Sequence, residues 1–256
     1  MSMIDKAWDK IFQDYGINKH DFNKSPFKIS AREIKTACQN FTETGEKEVR
    51  ILCKQDKRED RPKVFKDNGL FLLPVKNGEY VIVKGEGYVD IPIVDTTEKA
   101  YISKLDFQLD TSLIGNSEMQ HLDFAYASSL IRTFMKDESL VLTIRGRKYT
   151  PAFSFNIGKH LISTKSVQTE VDAGYEGGKQ VVLVEAKSSN TPNVIIRQLF
   201  YPFRQWQLCT SKSIVTLFFE KSDDIYSIWQ FKFLDPSNYN SIEFVKAGKY
   251  KIKSAE

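Results

Sequence analysis

Gln168-Thr169-Glu170-Val171-Asp172-Ala173-Gly174, then a glycine-rich turn, then Val181-Val182-Leu183-Val184-Glu185-Ala186-Lys187 is the stretch whose reading settles the rest of the chain. It predicts an acidic strand, a turn around Gly174, Gly177 and Gly178, and a second strand. Val181 to Val184 is an unbroken apolar, largely β-branched run, the pattern of a strand covered on both faces, and its charges arrive only at the end. Side chains two apart on a strand share a face, so Glu185 and Lys187 project together, and the hairpin brings Asp172 beside them. Two carboxylates and an amine then meet at one point. Such a cluster can hold an oxygen-loving divalent cation and present an ammonium to a water or a phosphate.

The tripeptide by itself carries little. Glu33-Ile34-Lys35 repeats the Glu-x-Lys pattern inside a predicted helix, and a surface ion pair where a strand meets solvent accounts for it equally well. Glu185-Ala186-Lys187 differs in the buried run before it, since charges that end a buried strand are costly unless paired or used.

Working outward, residues 1–29 are mixed polar and aromatic, and Ser30-Ala31-Arg32-Glu33 is a capping box opening a helix of about three turns. Ile34, Ala37, Cys38 and Phe41 give that helix one apolar face. Gly45 interrupts, a second amphipathic stretch carries Val49, Leu52 and Cys53, and a third short helix begins near Pro62. Leu70 to Val75 and Tyr80 to Lys84 flank Asn77-Gly78, a strong hairpin signal. Three helices followed by a hairpin is the order of a winged helix. Gly85 to Gly115 reads as a connection between domains. Ser117 to Gln120 is a second capping box, opening a helix to about Met135, and strands follow at 139–144, 152–157, 166–173 and 180–186. Residues 193–208 read as a helix that Pro202 should bend or interrupt, and 214–219 with 226–233 as a last strand pair around Asp223-Asp224. The expected fold class is α+β, a mixed central sheet flanked by helices, with one domain over 1–95 and a second over 96–256.

Composition narrows the function classes. A chain of 256 residues, 41% hydrophobic and 27% charged, is ordered and long enough for a substantial core. No apolar run approaches the roughly 20 residues of a membrane span, and the first residues lack the apolar stretch of a signal peptide, so the expectation is a cytoplasmic protein with no membrane partner. Cys38, Cys53, Cys209, His20, His121 and His160 show no metal-ligand spacing, which argues against zinc or a disulfide framework. His160 has no Ser or Cys nucleophile in a recognisable motif, which discounts a hydrolase triad. The net charge of +4 is mild, yet eight basic residues against four acidic ones lie between Lys47 and Lys66, an excess as large as that of the whole chain.

Asp172, twelve intervening residues, then Glu185-Ala186-Lys187, set in the order helix, strands, helix, strand, resembles the PD-(D/E)xK nuclease superfamily, and the size resembles a type II restriction endonuclease. The likeness covers about Asn116 to Phe233; Val171 stands where the family often has proline. It implies a restriction-endonuclease-like core, with an accessory winged-helix-like domain of the kind some restriction enzymes carry. Asp172, Glu185 and the Ala186 carbonyl would ligate Mg²⁺, with Mn²⁺ as a substitute, and Lys187 would orient and help deprotonate the attacking water. Glu118, at the start of the first core helix, would be a further metal contact or merely a carboxylate favoured by the helix dipole. Glu170 takes a supporting place, and Gln198 either lies near the site or is a surface helix residue.

The partners implied are double-stranded DNA, a second copy of the chain, since symmetric cleavage needs two sites, and a cognate DNA methyltransferase in the same cell. Arg50, Lys54, Lys57, Arg58, Arg61, Lys63 and Lys66 fit phosphate contact, a solvated basic face being the plainer account. Arg145, Arg147 and Lys148 would grip phosphate or read guanine edges, or else form an exposed hairpin turn. Phe200, Tyr201, Phe203 and Trp206 read as core packing. Two alternatives remain open: a repair or structure-specific nuclease of the same superfamily, and a non-catalytic winged-helix DNA-binding regulator.

Overall fold

The computed structural model describes residues 2–95, 97–113, 115–187 and 190–254. Its first unit runs α1 (Met3–Asp14), β1 (Phe27–Ser30), α2 (Ala31–Ala37), α3 (Thr44–Lys47), α4 (Val49–Leu52), α5 (Lys63–Asp67), β2 (Leu70–Lys76) and β3 (Glu79–Lys84). The strands form an antiparallel sheet of order β1-β3-β2. The sequence reading had neither α1 nor β1. Ala7, Trp8, Ile11 and Phe12 make α1 amphipathic and bury it against Phe65 and Leu52, and the Trp8 indole N–H donates to the Leu52 carbonyl at 3.0 Å. The Ser30 capping box forms as expected, but α2 ends after two turns, and Gly45 lies within α3 rather than breaking a helix. The hairpin turns at Asn77-Gly78, where Gly78 takes φ +76°, and Pro74 sits on the edge strand β2, where a missing N–H removes no ladder bond.

The second unit continues with β4 (Tyr88–Asp90), β5 (Lys99–Ile102), α6 (Glu118–Ala127), α7 (Leu130–Met135), β6 (Val141–Tyr149), β7 (Phe153–Ile157), β8 (His160–Thr164), β9 (Gln168–Glu176), β10 (Gln180–Lys187), β11 (Asn193–Ile195), α8 (Arg197–Gln207), β12 (Ser213–Ser222), β13 (Ile225–Phe233) and β14 (Ile242–Lys253). Seven strands make a mixed sheet of order β5-β14-β13-β12-β10-β9-β6. The protein is thus mixed α+β, with a central mixed sheet flanked by helices. Helices α6 and α7 cover one face through Leu122, Leu130 and Phe134 against Ala173, Val184 and Phe219; α8 covers the other through Leu199 and Phe200. Among the described residues no helix is long and apolar enough to cross a membrane.

Several boundaries differ from expectation. The segment read as a connection carries β4, paired with β11, and β5, which extends the sheet beside β14. The helix expected to Met135 breaks at Ser129, whose φ is +64°; Ser117 caps α6 by accepting from the Gln120 N–H at 3.2 Å, as expected, while the Gln120 side chain donates to the Thr111 carbonyl at 3.0 Å. Residues 193–195 are strand before α8 begins, and α8 runs through Pro202. Arg145 to Lys148 are not a turn but the middle of β6.

Val181 to Ala186 are all buried, as the apolar run requires. β10 is antiparallel to β9 on one side and parallel to β12 on the other, with α8 in the crossover between the two parallel strands. Gly174 is not in the turn but within β9, where a Cβ would come 2.6 Å from the Ile144 Cβ, so the two strands approach because the glycine has no side chain. Gly174→Ala should therefore lower the unfolding free energy by about 1–3 kcal/mol in a urea titration, as overpacking does. Gly178→Ala, whose Cβ would meet nothing within 4 Å, should leave the midpoint unchanged. Equal midpoints for both variants would contradict the close approach.

Candidate active site

The site begins with a fault in the sheet. On β6 and β9, Ile144 pairs with Gly174 but Gly146 pairs with Val171, so the single residue Arg145 faces two, Asp172 and Ala173. That is a β-bulge, and it turns over the faces of β9. Thr169 and Val171 pack toward α8, the former donating to the Gln205 side chain at 2.7 Å; Ala173 and Tyr175 pack under α6 and α7. The ladder to β10 reaches only as far as Val184 opposite Ala173. Beyond it β10 has lost its neighbour on that edge, and the Ala186 N–H donates instead to the Asp172 carboxylate at 2.7 Å. The N–H and C=O of one strand residue leave by the same edge, so the Ala186 carbonyl faces this gap too.

Glu185 and Lys187 stand on the opposite face from Ala186, and the Lys187 ammonium donates to the Glu185 carboxylate. Burial pushes the Glu185 carboxyl up to about 7, against the pull of Lys187. Burial also raises Asp172, opposed by the Ala186 N–H and Lys187. Burial works against the Lys187 ammonium, yet the Glu185 and Asp172 charges outweigh it and hold its pKa above the ordinary value. These groups open into a cleft of about 480 Å³ that Glu118, Glu170, Gln198 and Pro202 also line. Glu118, the first residue of α6, disfavours ionisation of Asp172 and favours the charge of Lys187. Glu170 pairs with Arg147 at 3.1 Å.

Two further lining residues escaped the sequence reading. Asp56 reaches in from the first unit, and Arg197, the first residue of α8, stands 3.6 Å from it. No local pattern joins positions 56 and 197; only tertiary docking does. The Ile195 N–H donates to the Asp56 carbonyl at 2.9 Å, the Arg58 N–H to Asn193 Oδ1 at 2.6 Å, and Asn193 Nδ2 to Glu59 at 3.1 Å. With Tyr201 Oη on the Pro74 carbonyl at 2.9 Å, these bonds fasten the first unit to β11 and α8.

Five carboxylates and two cations line the cleft. Among the described residues no three His, Cys, Asp or Glu side chains stand close enough to hold an ion by themselves. Where β9 and β10 part, the donors are the Asp172 and Glu185 carboxylates and the Ala186 carbonyl, all hard oxygens. Mg²⁺ is commonly held by one or two carboxylates, with water and substrate phosphate completing its shell, so the donor set fits that ion.

The basic residues divide. Arg58 bonds Asp90 at 2.7 Å, and the Arg61 guanidinium donates to the Arg58 and Leu70 carbonyls at 3.1 and 3.0 Å, so both are engaged inside the protein. Lys63 pairs with Asp67 at 2.6 Å, and the Lys66 ammonium donates to the Glu59 carbonyl at 2.5 Å. Arg145 pairs with Asp123 of α6, while Arg50 and Lys148 are exposed. Lys54 lies 3.9 Å from Asp56, which lines the cleft, and the charge of Lys57 reaches Glu220. Phe200, Tyr201 and Phe203 are buried core, as expected.

Residues 5–82 match a family model described as "Domain of unknown function (DUF6996)" and residues 83–251 one described as "Domain of unknown function (DUF6997)", the two meeting inside β3. No curated protein and no solved structure matches the chain. Since the second of these matches spans well over half its length, the chain belongs to the DUF6997 family.

Proposed function

We propose that the chain is a Mg²⁺-dependent endonuclease of the PD-(D/E)xK type, cutting double-stranded DNA at specific sites as a restriction enzyme does. One observation carries the reading: Asp172, Glu185, Lys187 and the Ala186 backbone meet where β9 and β10 part, in an open acidic cleft. An antiparallel hairpin, a crossover helix and a parallel strand support a restriction-endonuclease-like core. The order helix, strand, helices, hairpin, with strands β1-β3-β2, supports a winged-helix-like accessory domain.

Asp172, Glu185 and the Ala186 carbonyl would hold the cation, with Glu118 as a further contact. Bound there, Mg²⁺ would offset the negative cleft for an incoming phosphodiester and acidify a water. Lys187, kept charged by its two carboxylate neighbours, acts as a donor that orients the attacking water and stabilises charge growing on the phosphorus oxygens. Cutting both strands takes two such sites, so the active species is a homodimer. A methyltransferase in the same cell would protect the host's own sites.

Incubated with plasmid and phage DNA, the wild-type protein should give discrete fragments with Mg²⁺ and none with chelator. Asp172→Ala and Lys187→Ala should each lose about 10² to 10⁴-fold in rate, as removal of a charge-stabilising or proton-handling group does. A smear in place of bands would move the reading to a repair or general nuclease. DNA binding without cleavage on any substrate would favour the DNA-binding regulator.

A second test uses stability. A carboxyl with a raised pKa binds its proton more tightly in the folded state, so between the ordinary carboxylate value of 4.5 and about 7 the metal-free protein should lose stability as pH rises. Glu185→Gln should flatten that slope. A cation competes with the proton, so the rise in melting temperature on adding Mg²⁺ should be larger above pH 7 than below it. A shift that is absent, or that is the same at both, counts against a metal site at Glu185.

A further inference from the structure

Of the two cations lining the cleft, Lys187 is committed to Glu185. Arg197 is different. Its side chain is 22% exposed, its one ion pair among the described residues is the 3.6 Å approach to Asp56, and its Nε–H has no hydrogen-bond partner. A guanidinium serving stability alone would be expected to close a direct, bidentate pair with that carboxylate. Asp56 itself is anchored, through its carbonyl to Ile195 and through its neighbours Arg58 and Glu59 to Asn193. The first unit therefore holds a carboxylate fixed beside α8, and that carboxylate holds the arginine at the cleft without using up its donors. In a cleft where carboxylates outnumber cations by five to two, a polyanion needs such a group, and arginine's planar fork suits phosphate oxygens.

We propose that Arg197 grips a non-bridging phosphate oxygen of the DNA strand in the cleft, and that Asp56 is a positioning residue that holds its guanidinium there. This rests on the nuclease reading above and deepens it: the first unit becomes a wall of the site, not only a separate DNA-binding module.

The test compares wild type with Arg197→Ala, Arg197→Gln, Arg197→Lys and Asp56→Asn in the full chain. Binding of a short DNA duplex is measured against salt with Ca²⁺ in place of Mg²⁺, and plasmid cleavage with Mg²⁺. Arg197→Ala should weaken binding about tenfold, as loss of a charged hydrogen bond does. It should also reduce the slope of log affinity against log salt by about one unit, the signature of one lost phosphate contact. KM should rise with kcat little changed. Arg197→Lys should recover the slope but not all of the affinity, because the charge stays and the fork goes. Arg197→Gln keeps the stem, and should match the alanine variant or stand in for it if that protein does not fold. Asp56→Asn should change KM only while Arg197 is present; a change of equal size in the Arg197→Ala background would remove its positioning role.

Arg197 variants that melt like wild type with unchanged slope and KM overturn the proposal and leave the nuclease reading standing. A lost salt-slope unit in a protein that cleaves nothing with Mg²⁺ or Mn²⁺ keeps the grip and overturns the nuclease reading. Absence of DNA binding by the wild type overturns both.

Discussion

The hydrogen bond from the Ala186 N–H to the Asp172 carboxylate is the contact on which this architecture depends. β10 is buried along Val181 to Ala186, and a buried strand must satisfy every backbone donor. Its partner β9 supplies the ladder only to the Val184–Ala173 pair. The bulge opposite Arg145 then sets Asp172 where the next rung would be, so a side chain does what the backbone no longer does. The carboxylate thus takes the place of a strand at the end of β10. The spacing between Asp172 and the Glu185-Ala186-Lys187 end is thus fixed by secondary structure rather than by loop conformation.

How much of this the sequence discloses follows from the range of the interactions. Local patterns were legible: the apolar run of β10, the Ser30 box, the Asn77-Gly78 hairpin and the aromatic face of α8 all lie within a few residues of their cause. α1 also has local periodicity, but the aromatic and charged residues interleaved along it blur its apolar face. β5 and β14 were not legible, because each is a strand by pairing with a neighbour: the short β5 runs parallel to β14, and the half-exposed β14 lies along β13. The break at Ser129 needs a positive φ that serine seldom adopts, so helical periodicity read straight across it. The bulge is invisible in the same way. An alternation of polar and apolar residues through 169–175 reads as one strand, and only the β6 register shows that an extra residue changes its face.

The site shows the same division. Asp172, Glu185 and Lys187 were found because they belong to one hairpin, where sequence distance and spatial distance agree. Asp56 was not, since it sits in the Lys47–Lys66 stretch among cations and looks like part of their background. Docking reverses its meaning. Arg58 and Arg61, two of the stretch's candidates for DNA contact by charge alone, are taken up in holding that segment to Asp90 and to backbone carbonyls. The acid between Lys54 and Lys57 is what reaches the cleft. Charge density along a sequence is therefore a weaker guide to a binding face than knowing which of those charges the fold has already spoken for.

The Glu185–Lys187 pair, with its carboxylate buried and its ammonium partly so, bears on why these residues are present at all. Ion pairs taken out of water seldom repay their desolvation, and apolar side chains of similar size often serve stability as well or better. β10 could have ended on two more apolar residues facing α8, continuing the Val181 and Leu183 face that packs against Trp206. Stability alone gives no reason to burden that strand end with a carboxyl raised to about 7 and an ammonium beside it. A surface role gives none either, because Glu185 is buried. On the nuclease reading, such a carboxyl would exchange its proton for a cation near neutral pH, and its place in an open cleft would leave the cation a route in. On that reading the pair makes physical sense as a site kept ready for charge that arrives from outside.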